Sequence, residues 1–156
     1  MDEIKVEITQ LEPLRVMYIV SVSESPELEA QGKLLSWAKS KGLLNTVPAP
    51  RFFGFNNPSP SHGSEIYGYE FWMTVGESYQ PEEGGLPVKR FGGGLYAVTE
   101  LVSVWNIPET WEALNRWLEC SRYIIGKHQW LEEHVQFIDL PLDQYRVKLF
   151  LPVAGR

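Results

Sequence analysis

Cysteine is nearly missing: Cys120 stands alone in the chain, so no internal disulfide can brace the fold. Positive charge is also in deficit. Fourteen Lys and Arg face 20 Asp and Glu, for a net charge of −6, and neutralising nucleic-acid phosphates needs a positive source, so direct DNA or RNA binding is not expected. No uncharged apolar run approaches the roughly 18–20 residues that span a bilayer. The opening stretch Met1 to Ile8 carries acids and alternation where a secretory leader would carry a long apolar segment. Together these absences predict a cytoplasmic protein with no membrane partner.

Chemical signatures are equally sparse. The three histidines, His62, His128 and His134, are scattered, with neither HExxH nor CxxC spacing, so no metal site is expected. Ser64, in Gly63-Ser-Glu-Ile-Tyr-Gly68, does not sit in a GxSxG nucleophile elbow. Gly92-Gly-Gly94 lacks the GxxxxGK[ST] pattern and reads as a bend in a strand rather than a phosphate loop. No cofactor is expected.

What the chain does have is core-forming material. With 44% hydrophobic and 13% aromatic residues among 156, it can bury enough apolar surface to fold as one domain spanning residues 1–156. Alternation at Ile4, Val6 and Ile8 predicts a short opening strand, and Arg15 to Val22 a second. A helix is expected from Pro26, with Leu28, Leu34, Leu35 and Ala38 as its stripe and Lys39, Lys41 and Gly42 at its end. Strands follow at Arg51 to Phe55 and Tyr67 to Val75, around a turn-rich loop at Asn56 to Ser64. Beyond an exposed linker, Gly76 to Gly85, Val88 to Leu101 reads as a strand bent at its glycines. A second helix should start at Asn106, with Glu109 closing a capping box and Trp111, Leu114, Trp117 and Leu118 on its apolar face, and stop near Gly126. Trp130 to Ile138 and Tyr145 to Val153 complete the strands.

The two halves repeat. Met17-Tyr-Ile-Val20 matches Leu95-Tyr-Ala-Val98, and Tyr67 to Val75 matches Tyr145 to Val153, each 78 residues on. The expected fold is therefore α+β, with two pseudo-symmetric strand-helix-strand-strand modules, at about 4–80 and 86–153, carrying antiparallel sheets.

Strand parity sorts the chemistry-bearing residues. Tyr67, Tyr69, Phe71 and Met73 share a face, as do Tyr145, Val147, Leu149 and Leu151, and these should meet the helices. The other face carries Glu70 and Trp72, or Lys148 and Phe150, a charged and aromatic mixture suited to a ligand groove. In Leu131-Glu-Glu-His134, Glu132 and His134 fall together. A carboxylate flanked by aromatic rings attracts flat organic cations; the alternative is that Glu132 and Glu133 are solvated strand charges.

These stretches, taken in order with the Trp-containing helix and Leu151-Pro-Val153, resemble the gyrase-inhibitor-like small-molecule-binding superfamily, including the effector-binding domains of AraC-type and MerR-type regulators. The resemblance covers essentially the whole chain. It implies a ligand cleft between the modules that takes lipophilic or cationic compounds. The family's Leu-Glu-x-Tyr pattern resembles Leu131 to His134, which makes Glu132 the pocket acid and puts His134 where a Tyr is usual. Protonated near pH 6.5, His134 would oppose a cationic ligand. The aromatic walls map to Tyr69, Trp72, Trp105 and Phe53, with Glu70 close by. With no room left for a helix-turn-helix module, the chain reads as a stand-alone binder that senses or sequesters its ligand. Two alternatives stay open. One is a hydrolase of reactive electrophiles that uses Glu132 and Tyr69; the other is a protein-interaction module, gyrase-inhibitor-like, whose partner is another protein or a second copy.

Overall fold

The computed structural model describes residues 4–155. Contacts divide the chain into two units, Leu14–Phe91 and the combination of Met1–Pro13 with Gly92–Arg156.

In the first unit, β2 (Leu14–Ser23), β3 (Phe52–Asn56), β4 (Tyr67–Thr74) and β5 (Val88–Phe91) form an antiparallel sheet in the order β3-β4-β2-β5. Helix α1 (Pro26–Ser40) begins with Pro in its first turn, carries Glu27 and Glu29 there and Lys39 in its last. All three choices suit the orphan amides and dipole of a helix. Past its end, Gly42 takes φ +70°, where a side chain would be strained. The buried stripe is Ala30, Gln31, Leu34 and Ala38, whereas Leu28, expected in it, is 51% exposed. It lies one helical step outside the face that meets β2 and β4. Burying a Leu such as Leu34 contributes about 1.5–3 kcal/mol.

The second unit mirrors this plan. β1 (Val6–Leu11), β6 (Gly94–Thr99), β9 (Leu131–Gln136) and β10 (Arg146–Gly155) pair antiparallel in the order β1-β6-β10-β9. β7 (Val102–Ser103) and β8 (Tyr123–Ile125) add to β10. Helix α2 (Ile107–Glu119) lays Leu114, Trp111, Trp117 and Leu118 on a core of Ala97, Val147, Leu149, Leu151 and Val153. The duplication therefore equates β2 with β6, α1 with α2, β3 with β9 and β4 with β10.

Three expectations are corrected. The opening strand does not join the module that follows it: β1 pairs with β6, from Val6 opposite Thr99 to Leu11 opposite Gly94, while β5 pairs with β2. Each edge strand thus serves the unit it does not lead into. The ladder is admitted by Gly93, at φ +74°, where a Cβ would collide with the Leu11 carbonyl oxygen. The second helix stops at Glu119 rather than near Gly126, because Tyr123-Ile-Ile125, aromatic and β-branched, forms β8. Finally, Asn106 sits at the helix start without a side-chain cap bond; Ser103 Oγ instead accepts from the Trp105 amide at 3.3 Å.

Candidate functional site

The register decides which side chains share a sheet face, since directly opposed residues of an antiparallel pair point the same way. Glu132 lies opposite Leu149 and His134 opposite Val147, so both belong to the face that α2 packs on. Glu133 lies opposite Lys148 and Leu131 opposite Phe150, on the other face. Glu132 is half-buried and His134 buried. Burial lowers the His134 imidazole from 6.5 to about 4, because removing a cation from water is costly. The ring is therefore neutral at pH 7 and does not repel a cation, contrary to the charge expected of it near pH 6.5.

In the Leu14–Phe91 unit, Tyr69 lies on the face that α1 covers. Its neighbour on that face, Tyr67, donates its hydroxyl to Glu27 of α1. Tyr69 is 1% exposed and its ring crosses Gly54, where a Cβ would overlap it. Trp105, in the short 3-10 turn before α2, is 61% exposed.

Glu70, Trp72 and Phe53 occupy the opposite face of that unit, with Phe53 opposite Trp72 and Phe55 opposite Glu70. All of the predicted trio are buried. The Glu70 carboxylate is fully engaged: Asn57 Nδ2 donates to Oε1 at 2.9 Å, Trp72 Nε1 donates to Oε2 at 2.6 Å, and Lys89 Nζ also donates to Oε2. The Lys89 ammonium lies 4.2 Å from the Tyr18 ring centroid and 5.4 Å from that of Trp72. Trp72 is backed edge-on by Phe55 at 5.3 Å and at a tilt by Phe91 at 5.1 Å. The seven predicted residues thus separate into two groups: Glu132, His134 and Tyr69 on helix-covered faces, and Glu70, Trp72 and Phe53 on a helix-free one, with Trp105 outside the strands. Sequence reasoning missed Lys89, Tyr18, Phe55, Phe91 and Asn57. Only the odd-even pattern of Tyr18 and Phe55 offered a signal, since each lies across from Trp72 or Glu70.

On the helix-free face of the second unit, Tyr96 donates to the Gln129 carbonyl at 2.5 Å. Burial raises its phenol well above the usual range, so it stays a donor. Its ring meets Phe150 edge-on at 5.4 Å. Lys148 lines an open hollow of about 180 Å³ with Lys5, Glu7 and Glu100. No group of His, Cys, Asp and Glu among the described residues is arranged to hold a metal ion, and no helix among them is long and apolar enough to cross a membrane.

Two antiparallel strand-and-helix units in one chain make an α+β fold, and solved structures share it. The C-terminal domain of EcmrR shares it with a TM-score of 0.71 at 13% identity, over 98% of this chain and 99% of that one. A hydrolase from Listeria innocua matches at 0.69 and 10% identity, over 99% and 94%. SAV2435, solved bound to tetraphenylphosphonium, matches at 0.54 and 12%, over 97% and 94%. No family model matches the chain, and no curated protein sequence does.

Proposed function

We propose that this chain binds a hydrophobic, cationic or planar small molecule, to sense or sequester it, without breaking a bond. Glu132 supplies the negative charge, and His134 and Trp105 supply ring surface and hydrogen-bonding groups. The observation that carries this reading is the placement of Glu132 on one strand face with the buried His134 ring, whose burial disfavours its charged form. A neutral imidazole adds no positive charge to that face at pH 7. A shared fold with SAV2435, solved with a lipophilic cation, supports the ligand class.

Tetraphenylphosphonium titrated into the protein by calorimetry is the direct test. Binding should weaken about tenfold or more in Glu132→Gln, the equivalent of about 1.4 kcal/mol. Equal affinity in both proteins would remove Glu132 from the site, and no binding by either would remove lipophilic cations from the ligand class.

A hydrolytic reading draws on the Listeria neighbour's name. It would use Glu132 to activate water and Tyr69 as donor. Tyr69 is 1% exposed on its helix-covered face, which favours a packing role over contact with a reacting group. Recovery of an epoxide or ester probe unchanged after prolonged incubation supports binding, whereas a hydrated product lost in Glu132→Gln supports turnover.

A further inference from the structure

β1 ends the strand order β1-β6-β10-β9, and β6 is its one strand partner among the described residues. Its other long side is therefore a sheet edge, whose amide and carbonyl groups can ladder with another chain. The edge also leaves a core incompletely covered. Ile4, Val6 and Ile8 pack against the cluster that holds Ala97, Leu149 and Leu151, yet all three are only half-buried. Glu7 lies opposite Val98, which in turn lies opposite Phe150, so Glu7 stands on the helix-free face. Lys5, two residues before it, lines the same open hollow, and both are exposed.

Charges on an edge strand normally discourage pairing. The order of these two does the reverse when the partner is a second copy of the chain. Antiparallel pairing about a two-fold axis at Val6 sets Val6 opposite Val6, Lys5 opposite Glu7, Glu7 opposite Lys5, and Ile4 and Ile8 opposite one another. Charge meets opposite charge on one face, and apolar side chains meet on the other. Moving the axis by one residue spoils the match: at Lys5 two lysines oppose each other, and at Glu7 two glutamates do. β5, which ends the order β3-β4-β2-β5, has no such register, because Val88-Lys-Arg-Phe91 carries two cations and no acid.

We propose that the chain forms a symmetric dimer through β1, with the two strands paired antiparallel about Val6 and the ladder extended back to Ile4. A two-fold contact uses the same patch on both copies, so one strand supplies both halves of every charge pair. Lys5 Nζ lies 4.0 Å from Glu100 Oε1 of its own chain, and in the dimer it stands between that carboxylate and the partner's Glu7. A contact limited to residues 4–8 is small, in the range of transient complexes. The dimer therefore assembles and parts with protein concentration.

Sedimentation equilibrium of the full chain at low ionic strength tests this. The average mass should rise with concentration from that of one chain toward that of two. Glu7→Lys and Lys5→Glu each turn both attractive pairs into repulsive ones, and each should weaken dimerisation about tenfold or more. An equimolar mixture of the two variants should restore it, because every charge contact across the axis then joins a cation to an anion. A chain that stays monomeric up to about 1 mM, variants that dimerise as well as the unaltered protein, or a mixture that associates no better than its components would each overturn the proposal. If either variant fails to fold, amide hydrogen exchange of the unaltered protein replaces the mixing experiment. Alternate amides within Lys5 to Ile8 should exchange more slowly as concentration rises, and rates that do not change with concentration would equally overturn it.

Discussion

Glu70→Gln removes one charge at nearly constant volume and leaves three donors converging on a group that no longer satisfies them. Gln retains one acceptor oxygen and turns an amide NH2 toward at least one of Asn57 Nδ2, Trp72 Nε1 and Lys89 Nζ, which now contact Glu70. Hydrogen bonds to a charged partner are worth about 1.5–3 kcal/mol each. Lys89 is 38% exposed in its side chain and can return to water, so its share is discounted as for a partly solvated pair. The buried indole and amide cannot do so. The expected loss is about 2–4 kcal/mol, which for a chain of this size lowers the melting temperature by about 5–15 °C. Urea unfolding at pH 7, followed in parallel by far-ultraviolet circular dichroism and tryptophan fluorescence, measures it. A loss below about 0.5 kcal/mol, the range of ordinary surface changes, would refute the view that this carboxylate organises the face.

Other expectations follow from single residues. His134 has a folded pKa near 4 against 6.5 for the ordinary imidazole, so the unfolded chain binds the proton more readily. Its contribution to stability is whole above pH 6.5 and is lost as pH falls toward 4, by about 3 kcal/mol in all; His134→Phe should flatten that part of a stability-versus-pH curve measured with urea. Gly54→Ala puts a Cβ into the Tyr69 ring and should cost about 1–3 kcal/mol by overpacking, read as a shift of the urea midpoint. Trp105→Ala removes a ring that is 61% exposed and should change stability by no more than about 0.5 kcal/mol. Its effect on tetraphenylphosphonium affinity then reports ligand contact alone.

Much of the fold was legible because the strongest signals were local. Tyr67 to Val75 and Tyr145 to Val153 have the residue types of strands and recur with the same spacing, and the structure places β4 at Tyr67–Thr74 and β10 at Arg146–Gly155. The exchange of edge strands was not legible. Val6 to Leu11 has an alternating pattern that any antiparallel partner would satisfy, and nothing in six residues names β6 over the nearer β2. Parity correctly kept Glu132 with His134 and Glu70 with Trp72, since alternation is a property of any strand. What parity could not show is that Glu70 is consumed internally. Its cation comes from Lys89 on an edge strand, and its indole and amide partners depend on how strands and loop fold together. A charge on a strand reads the same in sequence whether it awaits a ligand or already has a partner.

The crossed edge strands also bear on how the chain is made. β1 leaves the ribosome ahead of β2 to β5, yet the backbone groups that complete it belong to Gly94–Thr99. Until Gly94–Thr99 has been synthesised, β1 carries Ile8 and Leu11 without the strand that pairs with it. Any nascent fragment ending before Gly94 therefore presents β1 unpaired with β6, where a holdase or a neighbouring nascent chain can pair with it.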